Sequence, residues 1–264
     1  MSYGFRTGGW RGPSYRGYGG FSFGYGLTPV VKKLIILNAA VFVLIALVDA
    51  VSPGFARATH LWFGLVPTSF LFGFHLWQPV TYLFLHGGFW HLFINMFILW
   101  MFGGMLERDW GPRRFLKYYF LTGVGAGLLN VAVSLLWGGG AAIIPTIGAS
   151  GSIYGILLAF GLLYPNAPIL VMLVFPIPAR IFVLILGVMA FLSTLRGPGT
   201  GIADAAHLGG LLFGYLYLRG DWMFYRTVSR YYDWRRRHRR RKFEVYMSEH
   251  EERESRNPHD RWIH

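Results

Sequence analysis

The sequence contains no cysteine and few charged side chains. Of its 264 residues only 14% are Asp, Glu, Lys or Arg, whereas 54% are hydrophobic. The absence of cysteine excludes a disulfide scaffold, a zinc site with thiolate ligands and a cysteine nucleophile. An ordinary soluble domain carries about 25% charged residues. The composition therefore predicts a membrane protein.

Carboxylates are scarce in the apolar part of the chain, which divides into six segments. Between residues 34 and 218 the only carboxylates are Asp49, Glu107, Asp109 and Asp204. The apolar segments are Leu34–Val51, Trp90–Leu106, Phe115–Trp137, Ser150–Tyr164, Ile181–Leu195 and Ala203–Leu218. A spanning helix needs about 20 residues, so the last three are short and are expected to begin below the membrane surface. We predict an all-α membrane protein, a six-transmembrane-helix bundle over residues 30–218.

The basic residues predict how this bundle is oriented. With an even number of spans, both ends of the chain lie on one side of the membrane. Of the 25 Lys and Arg residues, only Arg57 and Arg196 fall on the other side. Cytoplasmic loops carry the excess of Lys and Arg, so both termini are predicted to be cytoplasmic. We expect a multi-pass integral protein of the inner membrane of a bacterial cell.

Two segments flank the predicted core. Residues 1–29 are rich in Gly, aromatic residues and Arg and lack an apolar run. We therefore expect a disordered cytoplasmic segment and no cleavable signal peptide. Residues 219–264 are expected to form a cytoplasmic tail, basic at first and then of mixed charge. A basic run beside the last span anchors the topology and attracts anionic lipids, and we expect no nucleic-acid partner.

A serine and a histidine open two of the short apolar segments. Ser150 lies in the run Gly-Ala-Ser-Gly-Ser, and His207 lies in Ala-Ala-His-Leu-Gly-Gly. Polar or titratable groups in membrane spans are costly and mark functional sites by default. Both segments begin on the same side of the membrane, so the two groups reach one depth. A hydroxyl nucleophile and an imidazole base suit acyl transfer, and the leading interpretation is a serine protease that acts within the bilayer.

Close helix packing is the structural alternative for the serine motif. Gly151 belongs to a small-xxx-small pattern, and Ser152 stands where the nucleophile elbow of soluble hydrolases has Gly. Gly210 and Gly214 form a second small-residue pair on the sixth segment. Two glycine-faced helices approach closely enough for a Ser–His hydrogen bond of about 2.6–3.2 Å. Asp204 is expected to cap a helix, which leaves a two-residue dyad.

Other polar and aromatic side chains accompany this pair. Tyr154 lies one turn after the serine, where it either stacks on His207 or only fills the core. His91 and Asn95 share a helix face, and their side chains suit hydrogen bonding to an oxyanion. A metal site would use His86, His91 and His207, but no His-Glu-x-x-His motif occurs, and we expect no metal. An aspartyl protease needs two carboxylates deep within spans, whereas the acids here lie at segment ends.

These motifs, in this order, resemble the rhomboid family of intramembrane serine proteases. The resemblance covers about residues 28–218 and departs at Gln78, where some members carry Arg. The matching features are His86, His91 and Asn95; Gly148-Ala-Ser150-Gly151 with Tyr154; Ala-His207 with Gly210 and Gly214; Trp77; Gly104-Met-Leu-Glu107; and Phe175-Pro-Ile-Pro178.

The resemblance implies a role for each polar residue. Ser150 would be the nucleophile and His207 the general base. His91, Asn95 and the Ser150 amide would form the oxyanion hole, and His86 would be a structural group of the first loop. The implied substrates are single-span membrane proteins cut within or near the bilayer, and no cofactor is implied. The alternative is a rhomboid-like pseudoprotease that binds or routes membrane clients.

Overall fold

The computed structural model describes residues 27–171, 174–196 and 204–220, most of which are helical. A π-helical turn, Leu99–Gly103, joins α5 to α6, and 3-10 turns occupy Tyr82–Phe84 and Gly139–Ile143. The α-helices in chain order are α1 (Pro29–Val51), α2 (Phe55–Phe63), α3 (Pro67–Leu71), α4 (Gln78–Thr81), α5 (Phe89–Ile98), α6 (Gly104–Trp110), α7 (Pro112–Trp137), α8 (Ser150–Leu163), α9 (Ala179–Leu195) and α10 (residues 204–220). The predicted helical class is confirmed.

Three continuous helices of the described part are long and apolar enough to cross a membrane. They are α1, the rod Phe89–Trp110 formed by α5 and α6, and α7. Only 11% of the most apolar window of α1 is buried, so its apolar side chains face outward, as in a helix surrounded by lipid. Helices α8 and α9 are apolar but shorter, as the sequence predicts. The number of six spans stays a prediction.

Helix α8 lies at the centre of the bundle and packs closely on α7. The Tyr118 hydroxyl donates to the Gly155 carbonyl at 2.7 Å, and the Ser152 hydroxyl donates to the Tyr119 carbonyl at 2.7 Å. A Cβ at Gly155 would come within 2.7 Å of the Thr122 side chain. Small residues and interhelical hydrogen bonds of this kind hold helices together in lipid. They fix the position of the helix that begins at Ser150.

Glu107, in the motif after the second predicted span, holds the start of α1. Its carboxylate is buried and accepts hydrogen bonds from the Val30 and Val31 amides, both at 2.9 Å, and from the Thr28 hydroxyl. The first N–H groups of a helix have no acceptor within the helix, and a negative charge there is favourable. This carboxylate is therefore part of the scaffold.

A small β-hairpin precedes α9 and is absent from the all-α prediction. Strand β1 (Pro168–Val171) pairs antiparallel with β2 (Phe175–Pro178). The two prolines of β2 disfavour a helix there, because each lacks an N–H donor and restricts the residue before it. At the base of the hairpin the Ala179 amide donates to the Ala167 carbonyl at 2.9 Å. The hairpin thus fixes where α9 begins.

The long loop between the first two predicted spans contains α2, α3 and α4 and is tied to the segment before α8. Leu65 and Thr146 exchange two backbone hydrogen bonds of 2.9 Å. Gln78, where the sequence departs from some rhomboid members, is fully buried. Its side-chain oxygen accepts from the Val66 amide at 3.1 Å, and its amide donates to the Trp62 carbonyl at 3.3 Å. The glutamine therefore closes this loop internally.

Candidate active site

The side chains of Ser150 and His207 meet across the bundle. Ser150 is the first residue of α8, and His207 lies in the first turn of the described part of α10. The distance between Ser150 Oγ and His207 Nε2 is 2.9 Å, although the residues are 57 positions apart. This distance falls within the range for a nucleophile and its base, about 2.6–3.2 Å.

Two glycines of α10 allow this approach. A Cβ at Gly210 would overlap the Gly151 carbonyl oxygen of α8, so the backbones touch at this point. One turn later, a Cβ at Gly214 would lie 2.6 Å from the Tyr118 hydroxyl and 3.4 Å from the Gly155 Cα. The glycine face of α10 therefore packs against α8 and α7, on the same side as the histidine.

Two side chains border the His207 imidazole apart from the serine: Tyr154 contacts its face, and Asp204 lies near its second nitrogen. Tyr154, one turn after Ser150, stacks on the His207 ring with a centroid distance of 4.2 Å and an interplanar angle of 4°. On the opposite edge from the serine, His207 Nδ1 lies 3.8 Å from Asp204 Oδ1. The sequence predicts that Asp204 caps a helix. No described contact tests that cap; in the structure the carboxylate faces the imidazole and accepts a hydrogen bond from the Ser193 hydroxyl of α9.

His91 and Asn95 lie on the α5 face that borders the same cavity. The His91 ring packs on Gly148, where a Cβ would lie 2.7 Å from two ring atoms. Gly148 also has a φ of +118°, a conformation that L side chains rarely adopt. Asn95 Nδ2 donates to the His91 carbonyl at 2.7 Å. An amide nitrogen carries two hydrogens, so the second hydrogen of Asn95 is not used by this bond.

His86 lies behind His91, in the loop before α5. Its side chain is buried, and its ring lies edge-on to the His91 ring, with centroids 5.0 Å apart. Burial, reinforced by the neighbouring His91, lowers the pKa of His86 to about 3 although the Phe84 carbonyl opposes the shift. His86 therefore stays neutral at physiological pH and contacts one of the predicted oxyanion-hole residues.

One cavity of about 670 Å³ brings together the side chains of Ser150, His207, His91 and Asn95. Its walls come from α5, α7, α8, α9 and α10 and from the segment before α8. Its apolar wall includes Ile94, Ile98, Val133, Trp137, Phe182 and Leu186, and its polar lining includes His91, Asn95, Asn130, Ser150, Asp204 and His207. Such a cavity combines space for an apolar chain with several polar groups in its wall.

The sequence interpretation omitted two contacts that hold the segment before Ser150. Asn130 of α7 donates to the Thr146 hydroxyl at 2.7 Å, and the Gly148 amide donates to the Tyr82 carbonyl at 2.9 Å. The position of Asn130 within an apolar segment could have indicated the first contact, because a side-chain amide in a membrane span requires a hydrogen-bond partner. These contacts place Gly148 against His91.

Two of the predicted segments and the expectation of no metal remain to be compared with the structure. The segment 1–26 and the basic tail at 221–264 are outside the described ranges, so their predicted roles stay predictions. Within the described ranges no group of three His, Cys, Asp or Glu residues is arranged to hold a metal ion.

Comparison with known proteins identifies the family. The Rhomboid domain family matches residues 73–224, more than half of the chain. Rhomboid protein 1, mitochondrial, of Saccharomyces cerevisiae is 36% identical over 149 residues, which are 56% of this chain and 41% of the yeast protein. Rhomboid-like protein 16, chloroplastic, of Arabidopsis thaliana is 32% identical over 228 residues, 80% of this chain and 67% of the plant protein.

Bacterial relatives are also similar. Rhomboid protease AarA of Providencia stuartii is 29% identical over 217 residues, 74% of this chain and 73% of that protein. Rhomboid protease GluP of Bacillus subtilis is 31% identical over 153 residues, 58% of this chain, but the match spans only 27% of GluP. The family match and the apolar helices together make the chain an integral membrane protein, and it belongs to the rhomboid family.

Proposed function

We propose that the chain is an intramembrane serine endopeptidase that cleaves single-span membrane proteins within or near the bilayer. The observation that carries the proposal is the 2.9 Å contact between Ser150 Oγ and His207 Nε2 inside a cavity with an apolar wall. Relatives named as proteases, AarA and GluP, support the same reaction class. The presence of both serine and histidine favours a protease over a pseudoprotease that only binds clients.

In the proposed reaction, Ser150 Oγ attacks the scissile carbonyl while His207 Nε2 takes the hydroxyl proton. The resulting oxyanion would accept hydrogen bonds from the Ser150 amide, His91 and Asn95. As the first residue of α8, Ser150 has an N–H without an acceptor in its own helix. His207 then gives its proton to the leaving amine, and water hydrolyses the acyl enzyme with His207 again as base.

The proposed substrate class follows from the chemistry of a helix in lipid. A transmembrane helix uses its carbonyls in internal hydrogen bonds, so a scissile bond has to leave the helix before it is attacked. Glycine and proline weaken a helix by roughly 1 and 3 kcal/mol per residue. Substrates are therefore expected to carry such residues near the cut.

The membrane context is part of the proposal. The bias of basic residues supports a chain with both termini in the cytoplasm. The bacterial relatives support a bacterial inner membrane, although relatives with mitochondrial and chloroplastic names also occur. Anionic lipids are the proposed partners of the basic tail, and the proposed reaction needs neither a cofactor nor a nucleic acid.

The test uses purified protein, a serine-directed fluorophosphonate and a reconstituted single-span substrate. Wild type should be labelled and should cleave, whereas Ser150→Ala should do neither. His207→Ala should also lose cleavage, and the double variant should be little worse than either single one, because members of a catalytic unit are not additive. Ser52→Ala, which changes an exposed serine at the end of α1, should keep the label at Ser150. Wild-type cleavage by Ser150→Ala would contradict the proposal.

A further inference from the structure

Asp204 lies on the side of His207 that faces away from the serine. Its Oδ1 is 3.8 Å from His207 Nδ1, and both side chains are nearly buried, at 12% and 14% exposure. The two residues are three positions apart on α10, so they share a helix face. Ser150 meets the other ring nitrogen. The imidazole therefore lies between a hydroxyl and a carboxylate.

A neighbouring helix holds this carboxylate. The Ser193 hydroxyl of α9 donates to Asp204 Oδ2, and Oδ1 is the carboxylate oxygen that lies 3.8 Å from His207 Nδ1. Ser193, Asp204 and His207 all line the cavity. The other described groups near the imidazole are Ser150 and Tyr154 of α8 and His91 of α5, and none of these is a carboxylate. Among these groups, Asp204 is thus the carboxylate that faces the imidazole on the side opposite the serine.

We propose that Asp204, held by Ser193, is a positioning residue for His207, an inference that rests on the proposed protease function. An ionised carboxylate only accepts hydrogen bonds, so it favours the tautomer with the proton on Nδ1. Nε2 then presents its lone pair to the Ser150 hydroxyl, as a general base requires. When Nε2 takes the serine proton, the carboxylate compensates the positive charge of the imidazolium.

The distance fits a charge contact between the carboxylate and the imidazole. At 3.8 Å the two atoms are beyond hydrogen-bond range. We therefore expect an effect on the chemical step that is smaller than the full contribution of the base.

The experiment separates charge from size at position 204. Asp204→Asn keeps the size and removes the charge, and the pair Asp204→Glu and Asp204→Gln repeats this comparison with a longer side chain. We expect Asp204→Asn to lower kcat about 10- to 100-fold, part of the 10²–10⁴-fold that a general base contributes. KM should stay within about twofold, fluorophosphonate labelling of Ser150 should slow in parallel, and the Glu variant should exceed the Gln variant.

Two further variants complete the design. Asp49→Asn makes the same chemical change at the end of α1, where the side-chain oxygen accepts from the Gly54 and Ala56 amides, and it should keep the wild-type kcat. Ser193→Ala should lower kcat less than Asp204→Asn, since the carboxylate remains but loses its anchor. Thermal unfolding of every variant shows whether it is folded.

The outcomes distinguish this inference from the proposed function. Wild-type kcat in Asp204→Asn, or equal kcat in the Glu and Gln variants, would overturn the role of Asp204. If Asp204→Asn does not fold, the Glu and Gln pair decides the question, together with Ser193→Ala. An inactive wild type whose Ser150 is not labelled would instead contradict the protease proposal.

Discussion

At the scale of single residues, Asn95 tests the proposed oxyanion hole. Asn95→Ala should lower turnover about 10²–10³-fold if its amide stabilises the oxyanion as a single strong donor does. His91→Ala should act in the same direction. The measurement is kcat in liposomes, with thermal stability followed in parallel.

Asn38 offers a matched control for Asn95. It is also a buried asparagine whose amide donates to the carbonyl four residues earlier, to Leu34 at 2.8 Å, but it lies in α1 and does not line the cavity. Asn38→Ala should lower stability and leave the kcat of the folded fraction unchanged. If Asn95→Ala behaves like Asn38→Ala, Asn95 is a packing residue.

His86 gives a prediction for pH and stability. Its pKa is lowered from 6.5 to about 3 in the folded protein, chiefly by burial. The unfolded chain therefore binds a proton at higher pH than the folded chain does, and stability from this residue falls as pH drops below about 6.5. Between pH 7.5 and 5.5 the loss should be about 1.4 kcal/mol.

The measurement is thermal unfolding of wild type and His86→Gln at these two pH values. Only the difference between the two proteins is attributed to His86, because other groups titrate in both. The variant should lose less stability on acidification than wild type does. An equal loss in both proteins would show that the imidazole takes up a proton as readily in the folded protein as in the unfolded chain.

At the scale of helices, the contact between α8 and α10 decides whether the serine and histidine meet. Gly210→Val should push α10 away, because a Cβ at this position overlaps the Gly151 carbonyl. Misplacing a catalytic group by about 1 Å can lower the rate about 10²-fold. We expect an inserted, folded protein with little activity.

The same helix supplies the control for this substitution. Gly220→Val changes the end of the described part of α10, where a Cβ meets no atom of the described residues within 4 Å, and it should retain wild-type turnover. Proteolysis assays in liposomes and thermal unfolding report both variants. Wild-type turnover in Gly210→Val would show that this glycine is not needed to bring the dyad together.

At the scale of the whole molecule, the basic tail is predicted to bind anionic lipid and to have no role in peptide-bond cleavage. Truncation after Asp233 removes the basic run at 235–242 but keeps Ser150, His207, His91 and Asn95. Cleavage of a model substrate should stay within about twofold. Each basic residue near anionic lipid contributes roughly 1 kcal/mol to association, so the truncated protein should show weaker dependence on anionic lipid.

Vesicles of zwitterionic lipid are the control, since the two proteins should behave alike there. Membrane insertion is checked by protease accessibility of the termini before activity is compared. A correctly inserted, truncated protein without activity would give the tail a role in substrate binding or regulation.

Much of the fold was predictable from the sequence, because a segment that lies in lipid has to be apolar and has to satisfy its backbone hydrogen bonds within a helix. A chain with 54% hydrophobic and 14% charged residues cannot leave its polar groups in lipid without cost, so the exceptions to the apolar pattern are informative. Ser150, His207, Asn95 and Asn130 are such exceptions. The shortness of α8 and α9 also followed from segment length alone.

The tertiary structure decided how these groups face one another. The direction of a side chain around its helix depends on the rotation and packing of that helix, and the packing partners are far away in sequence. Only the tertiary structure therefore shows that His207 Nε2 lies 2.9 Å from Ser150 Oγ and that His207 Nδ1 faces Asp204. The hairpin before α9 and the contact of Gly148 with His91 also depend on such distant pairings. The sequence by itself determined which polar residues lie in apolar segments, where their burial in lipid costs free energy. Tertiary packing determined which of these residues contact one another, because the packing partners are distant in sequence.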